Sequence, residues 1–170
     1  MIARKFFHHL CDLLVESMKA FSMKEGEVVN RYEYEGTEFL DELHKAGKSV
    51  ICVGGHYNNW EWSGIASGTQ LKHRPVGFYK PLSNKKVDEF VRKTRVRGRS
   101  VLVSITNTTA VFLTDYGEPA IFYMVADQSP SSGRLAYWMQ FLSQDTAVLH
   151  GPEKYARLHN MPVVFAYPRK

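Results

Sequence analysis

No stretch of this chain approaches the roughly 20 consecutive apolar residues that a membrane-spanning helix requires, although 44% of its 170 residues are hydrophobic. Cysteine is nearly absent. The two present, Cys11 and Cys52, are far apart, one in an apolar helical pattern and one inside an apolar strand. That excludes a disulfide framework and a cysteine-rich metal site; both are expected as small core residues in a reducing cytoplasmic setting. The N-terminus lacks the layout of a secretory signal. Missing too are the GxSxG elbow of serine hydrolases, the GxxxxGK[ST] phosphate loop, the GxGxxG dinucleotide turn and the HExxH zinc helix. Seven histidines show no spacing to cysteines or carboxylates that would suit metal ligation, so no metal is expected.

What is present suffices for one well-buried domain and is too short for two ordinary ones. Apolar and helical segments alternate. Helices are predicted over 2–21, 36–46, 59–67, 84–97, 106–116 and 151–159, and strands over 28–35, 49–53, 75–79, 101–103, 120–125, 138–142 and 162–167. Such alternation implies an α/β domain with a central, mostly parallel sheet flanked by helices. The first helix carries Ile2, Phe6, Leu10, Leu13, Leu14, Met18 and Phe21 on an apolar stripe. That stripe is expected to dock on the domain's own core rather than on a membrane, because its polar face mixes acids and bases.

The net charge of +5 sits in one segment. Residues 85–99 hold seven basic and two acidic side chains, and the rest of the chain holds fifteen of each sign. A solvated helix face would account for this run; so would attraction to phosphate groups, an acidic carrier protein or an anionic membrane surface. Nucleic acid ranks last, since no binding motif or interleaved aromatic platform accompanies the run.

The segment GGHYNNWEW at 54–62 follows directly on an apolar strand and places a histidine at its end, with a glutamate five residues on. Imidazole moves protons near neutral pH, and a carboxylate can fix its tautomer. Five residues along one helix is roughly 140° around its axis, so His56 and Glu61 can meet only if His56 lies in the turn before the helix. A structural histidine beside a helix-start glutamate fits the same spacing. Asp127 also lies just past a predicted strand, and ligands of such sheets bind beyond the strands' carboxyl ends, where His56 and Asp127 could converge. Cys52 is set aside as a nucleophile because its strand reads as buried. A base without a protein nucleophile suits direct attack by a substrate hydroxyl on an activated acyl group.

GGHYNNWEW resembles the Hxxxx[DE] signature of the glycerolipid acyltransferase superfamily, in the form found in the lauroyl/myristoyl late acyltransferases of bacterial lipid A biosynthesis. Three further blocks match in order: RPVGFYKPLSNKKVDEFVRKTR at 74–95, MVADQSP at 124–130 and GPEKYARLHNMPVVFAYPRK at 151–170. The likeness runs from about Tyr34 to Lys170. It implies His56 as catalytic base with Glu61 as its partner, Lys80 beside the acceptor's phosphate, Asp127 and Gln128 shaping the pocket, and Arg92 and Arg95 among the cations that attract the substrates. It further implies O-acyl transfer from acyl carrier protein, or from acyl coenzyme A, to a hydroxyl of a lipid A precursor. The setting would be the membrane surface at the cytoplasmic face of the bacterial inner membrane, with no cofactor and no nucleic acid. A lysophospholipid or aminolipid acceptor, or an inactive carrier- or lipid-binding fragment, stays open.

Three departures from the family pattern stand out. Residues 1–170 read as a catalytic domain cut at both ends, without the family's membrane-anchoring helix and C-terminal part. Lys80 replaces the usual arginine, trading a bidentate fork for a point charge. Met139-Gln140-Phe141-Leu142 stands where the family has a phenylalanine-rich segment. Tyr57, Trp60, Trp62 and Phe78 are candidates for an acyl groove or for simple packing.

Overall fold

The computed structural model describes residues 2–169; Met1 and the last residue of the fourth block, Lys170, lie outside them. The elements are α1 (Ile2–Ala20), α2 (Glu25–Val29), α3 (Glu38–Lys45), β1 (Val50–Gly54), α4 (Trp60–Gln70), β2 (Arg74–Tyr79), α5 (Lys85–Arg95) and β3 (Val101–Ser104). They continue with α6 (Thr108–Leu113), β4 (Ala120–Val125), β5 (Tyr137–Phe141), β6 (Gln144–Val148), α7 (Gly151–Leu158) and β7 (Val163–Phe165).

Five strands form one parallel sheet in the order β3-β2-β4-β1-β7. The α/β fold read from the alternation of segments is therefore the one found. Central strands of such a sheet are covered on both faces and carry apolar side chains on both. Ile51, Val76 and Phe122 face α6 and α7, where Val111, Phe112 and Ala156 close the core. Val50, Cys52 and Ile121 face Leu40 of α3 and Leu71 after α4. A third cluster joins Trp62, Ile65 and Ala66 of α4 to Val28 of α2 and to Ala20 and Met23 at the end of α1.

Four expectations fail. Residues 28–35 are no strand: Val28 ends up fully buried on the short helix α2, whose start is fixed by the Lys24 N–H donating to Glu27 Oε2 at 2.8 Å. The strand at 138–142 does not join the sheet. It pairs antiparallel with β6, which was not foreseen. The helix foreseen over 106–116 is a 3₁₀ turn at Ile105–Asn107 followed by the short α6.

The fourth failure concerns α1. Its stripe turns outward: Ile2, Phe6, Leu10, Leu14, Met18 and Phe21 are exposed, as is Cys11, and only Ala20 is buried. Polar anchors decide this orientation. Asn59 Nδ2 donates to Glu16 Oε2 at 2.9 Å, Trp62 Nε1 donates to the Glu16 carbonyl at 3.2 Å, and the Arg97 guanidinium donates to the carbonyls of Ala20, Phe21 and Met23. The Arg97 bonds satisfy carbonyls at and just past the end of α1, and together with those to Glu16 they tie this side of the helix to the domain. Among the described residues no helix is long and apolar enough to cross a membrane.

Candidate active site

Strands β1 and β4 are parallel neighbours with Gly54 opposite Val125. Two residues beyond each strand the chain reaches His56 and Asp127, so the sheet's own register sets them side by side. His56 Nδ1 lies 2.8 Å from Asp127 Oδ1, and the His56 backbone N–H donates to Asp127 Oδ2 at 2.8 Å. The carboxylate thus holds both the loop and the ring. Slight burial pushes the Asp127 carboxyl up, but these two hydrogen bonds outweigh it and keep it below its ordinary 3.8. Gly55 leaves room for the contact: a Cβ there would sit 3.2 Å from Asp127 Oδ2, a tight approach.

The loop then turns through Asn58 with φ of 52°, a left-handed conformation that asparagine tolerates better than most residues. Asn59 caps α4, its side chain accepting from the Trp62 N–H at 3.2 Å.

Glu61 was expected to pair with His56, and it does not. Arg95 from α5 takes both of its oxygens, with Nε donating to Oε2 at 2.9 Å and Nη2 to Oε1. The reason is geometric. Glu61 already lies in the first turn of α4 and faces α5, whereas the imidazole is turned toward the end of β4. Trp60 connects the two pairs: its ring meets His56 edge to face at 5.2 Å, and the Arg95 guanidinium lies 5.5 Å over it. The histidine and glutamate of the HxxxxE pattern therefore belong to two adjacent pairs, His56–Asp127 and Glu61–Arg95, joined by an indole.

His56, Glu61 and Arg95 all line one cavity of about 390 Å³. It runs beneath α4, between Ser63, Gly64 and Ser67 of that helix and Cys52, Gly77 and Tyr123 of the sheet, and continues to Ser100 and Leu102 near β3. Small residues on α4 are what leave it room. At Gly64 an added Cβ would meet nothing within 4 Å. Two hydroxyls of the cavity lining are already engaged by Tyr34 behind them: Tyr34 OH lies 2.6 Å from Ser63 Oγ and 3.1 Å from Tyr123 OH. Burial raises the Tyr34 and Tyr123 phenols well above their ordinary value, so both stay neutral. Burial also pushes the Cys52 thiol up to about 12, which leaves it unreactive as a nucleophile.

The remaining candidates are dispersed. Lys80 stands at the cavity wall, and among the described residues no carboxylate pairs with it. Gln128 is exposed and outside the cavity lining. Arg92 is exposed and lies 5.8 Å over the Tyr79 ring. The basic run is not one cationic patch: Arg95 is taken by Glu61, Arg97 by the end of α1, and Arg99 by Glu118 and the Leu71 carbonyl, while Arg92 is exposed and the exposed Lys93 pairs with Glu89 at 2.7 Å. Of the four aromatic candidates, Trp60 and Phe78 line the cavity, Trp62 is buried against α1, and Tyr57 is exposed beside His9. Among the described residues no group of three or more His, Cys, Asp or Glu side chains comes together to hold a metal ion.

A histidine held by a carboxylate, beside a cavity at the carboxyl edge of a parallel sheet, defines an α/β protein with a candidate proton-transfer site. The model of the bacterial lipid A biosynthesis acyltransferases matches residues 1–169, and the chain belongs to that family. Its members are transferases, and the acceptor that the family implies is a lipid. No curated protein matches the chain.

Proposed function

We propose that the protein transfers a fatty acyl chain from the thioester of acyl carrier protein to a hydroxyl of a lipid A precursor, with His56 as general base. The observation that carries this reading is the His56–Asp127 pair at the rim of the cavity under α4. With Nδ1–H donated to Asp127, Nε2 is left as the base. It removes the proton of the acceptor hydroxyl as the oxygen attacks the thioester carbonyl. A C–O bond forms and the carbonyl becomes an oxyanion, whose charge the Lys80 and Arg95 cations at the cavity wall offset. Collapse breaks the C–S bond, and the departing carrier thiol takes the proton from the imidazolium. Asp127 keeps the tautomer and stabilises the charged ring between these steps. No acyl-enzyme, metal or redox cofactor is called for.

In this reading Glu61 is a positioning residue that aims Arg95, and the cavity holds the acyl chain. Arg92, Lys93, Lys85 and Lys86 on α5 attract the acidic carrier and the anionic membrane. The exposed apolar face of α1 suits work at a membrane surface, at the cytoplasmic side of the inner membrane. The test is to incubate the protein with acyl carrier thioesters and a panel of lipid A precursors, lysophospholipids and aminolipids, and to identify products by mass spectrometry. Transfer to the lipid A precursor, abolished in His56→Ala, is expected; full activity of folded His56→Ala would overturn the mechanism.

A further inference from the structure

Two serines stand at the inner end of the cavity. On β2 the lining runs from Tyr79 back to Pro75, a span of roughly 13 Å, and on α4 it runs from Trp60 to Ser67. Arg74, one residue further on the strand, and Leu71, one turn further on the helix, lie outside it. The register that sets Val76 opposite Val101 puts Pro75 and Ser100 at one level, near the start of both strands. His56 lies past the other end of the sheet. The serine hydroxyls converge on one acceptor, Ser67 Oγ donating to the Gly64 carbonyl at 3.0 Å and Ser100 Oγ at 3.3 Å.

That convergence decides what this wall can touch. A hydroxyl proton already given to a carbonyl is not stranded when a methyl end displaces water beside it. The wall is also fixed. The Ser100 N–H donates to the Arg97 carbonyl at 3.1 Å, closing a turn through Gly98, whose φ is 56°. Helix α4 packs directly on this turn, since a Cβ on Gly68 would sit 2.9 Å from Ser100 Oγ and 3.2 Å from the Arg97 carbonyl. Arg97 ties the turn to the carbonyls at the end of α1, and Arg99 ties it to Glu118 and the Leu71 carbonyl. Two cations of the basic run are thereby committed to holding Ser100 in place.

We infer that Ser67 and Ser100 form the stop of an acyl groove and set the longest chain the protein accepts from its donor. This rests on the acyl-transfer reading above. A rigid end wall makes chain length a threshold property. Each added methylene gains the same burial until the chain reaches the serines, and the next must strain a packed turn.

The test reads binding apart from catalysis. Dansylundecanoic acid bound to the protein is displaced by saturated fatty acids of about 8 to about 18 carbons, with affinity expected to tighten about fourfold per methylene up to a break. Ser67→Val and Ser100→Val add bulk to the end wall from two different elements, so one can fail to fold without losing the test. In a folded variant the break should move to shorter chains, and the longest chain the wild type accepts should bind about fourfold more weakly or worse. Chains well short of the break should keep their wild-type affinity. Fatty acids that displace no probe, a wild-type series without a break, or a break unmoved in a folded variant would overturn the stop. A moved break in a protein that transfers no acyl group would sink the catalytic reading and support the stop; acyl transfer with an unmoved break would do the reverse.

Discussion

Asp127 accepts from both the ring and the backbone of His56, each at 2.8 Å, so one carboxylate fixes the imidazole and the loop that carries it. Asp127→Asn keeps the volume but offers the ring an amide that can flip, and it removes the charge that stabilises an imidazolium. Steady-state transfer kinetics should show kcat lowered on the order of 10²–10⁴-fold with acceptor KM little changed. A loss confined to KM would mean that Asp127 binds substrate instead.

Glu61 and Arg95 form the neighbouring pair, with side chains 20% and 32% exposed. Arg95→Ala would leave a mostly covered carboxylate without its partner, at a cost of about 1–3 kcal/mol in denaturant unfolding. Arg95→Lys keeps a charge but loses the two-pronged geometry and the stacking on Trp60, so it should rescue stability only in part. Because Arg95 both covers Glu61 and offsets the oxyanion, kcat should fall together with stability in Arg95→Ala. An unchanged kcat in folded Arg95→Ala would remove the guanidinium from the oxyanion.

The sheet was legible because its strands are compact apolar runs separated by helical segments, and parallel central strands need no alternation to be recognised. Residues 28–35 misled because Tyr32 and Tyr34 give a β-like pattern while their rings serve tertiary contacts: Tyr34 OH bonds Ser63 and Tyr123 from irregular backbone. The partner of His56 was harder. Glu61 is near in sequence, whereas Asp127 is 71 residues away and reaches His56 only through the β1–β4 register. Strand order is a tertiary property, and no local spacing encodes it. The outward stripe of α1 was misread because Glu16, Asn59 and Arg97 form an interface from polar groups, which hydrophobic periodicity does not register.

His73 gives a stability signature far from the site. It is fully buried with Nε2 donating to the Lys48 carbonyl at 3.0 Å, while Nδ1 has no partner and His44 meets the ring at 5.2 Å. Burial holds its imidazole below the ordinary 6.5. The unfolded chain therefore binds a proton that the folded chain refuses. Stability should be flat above 6.5 and fall as pH drops below it, by up to about 1.4 kcal/mol per pH unit from this one group, until the folded value is passed. In urea titrations His73→Gln should be less stable at neutral pH, by about 1 kcal/mol, with a shallower acid slope. An unchanged slope would remove His73 as the cause.

Gly64 is the position where function and helix stability oppose each other. Glycine inside a helix costs about 1 kcal/mol relative to alanine, and here no neighbour demands it, since an added Cβ would meet nothing within 4 Å. What the missing side chain preserves is the cavity that Gly64 lines. Gly64→Ala should therefore stabilise the fold by up to about 1 kcal/mol, while Gly64→Leu fills the space beneath α4. If that space holds the donor's chain, each methylene displaced from it forfeits about 0.8 kcal/mol, roughly fourfold in kcat/KM. Competition between acyl carrier thioesters of different length, read as product ratios by mass spectrometry, should shift toward shorter chains in Gly64→Leu. An unchanged ratio in a folded, active variant would place the acyl chain elsewhere.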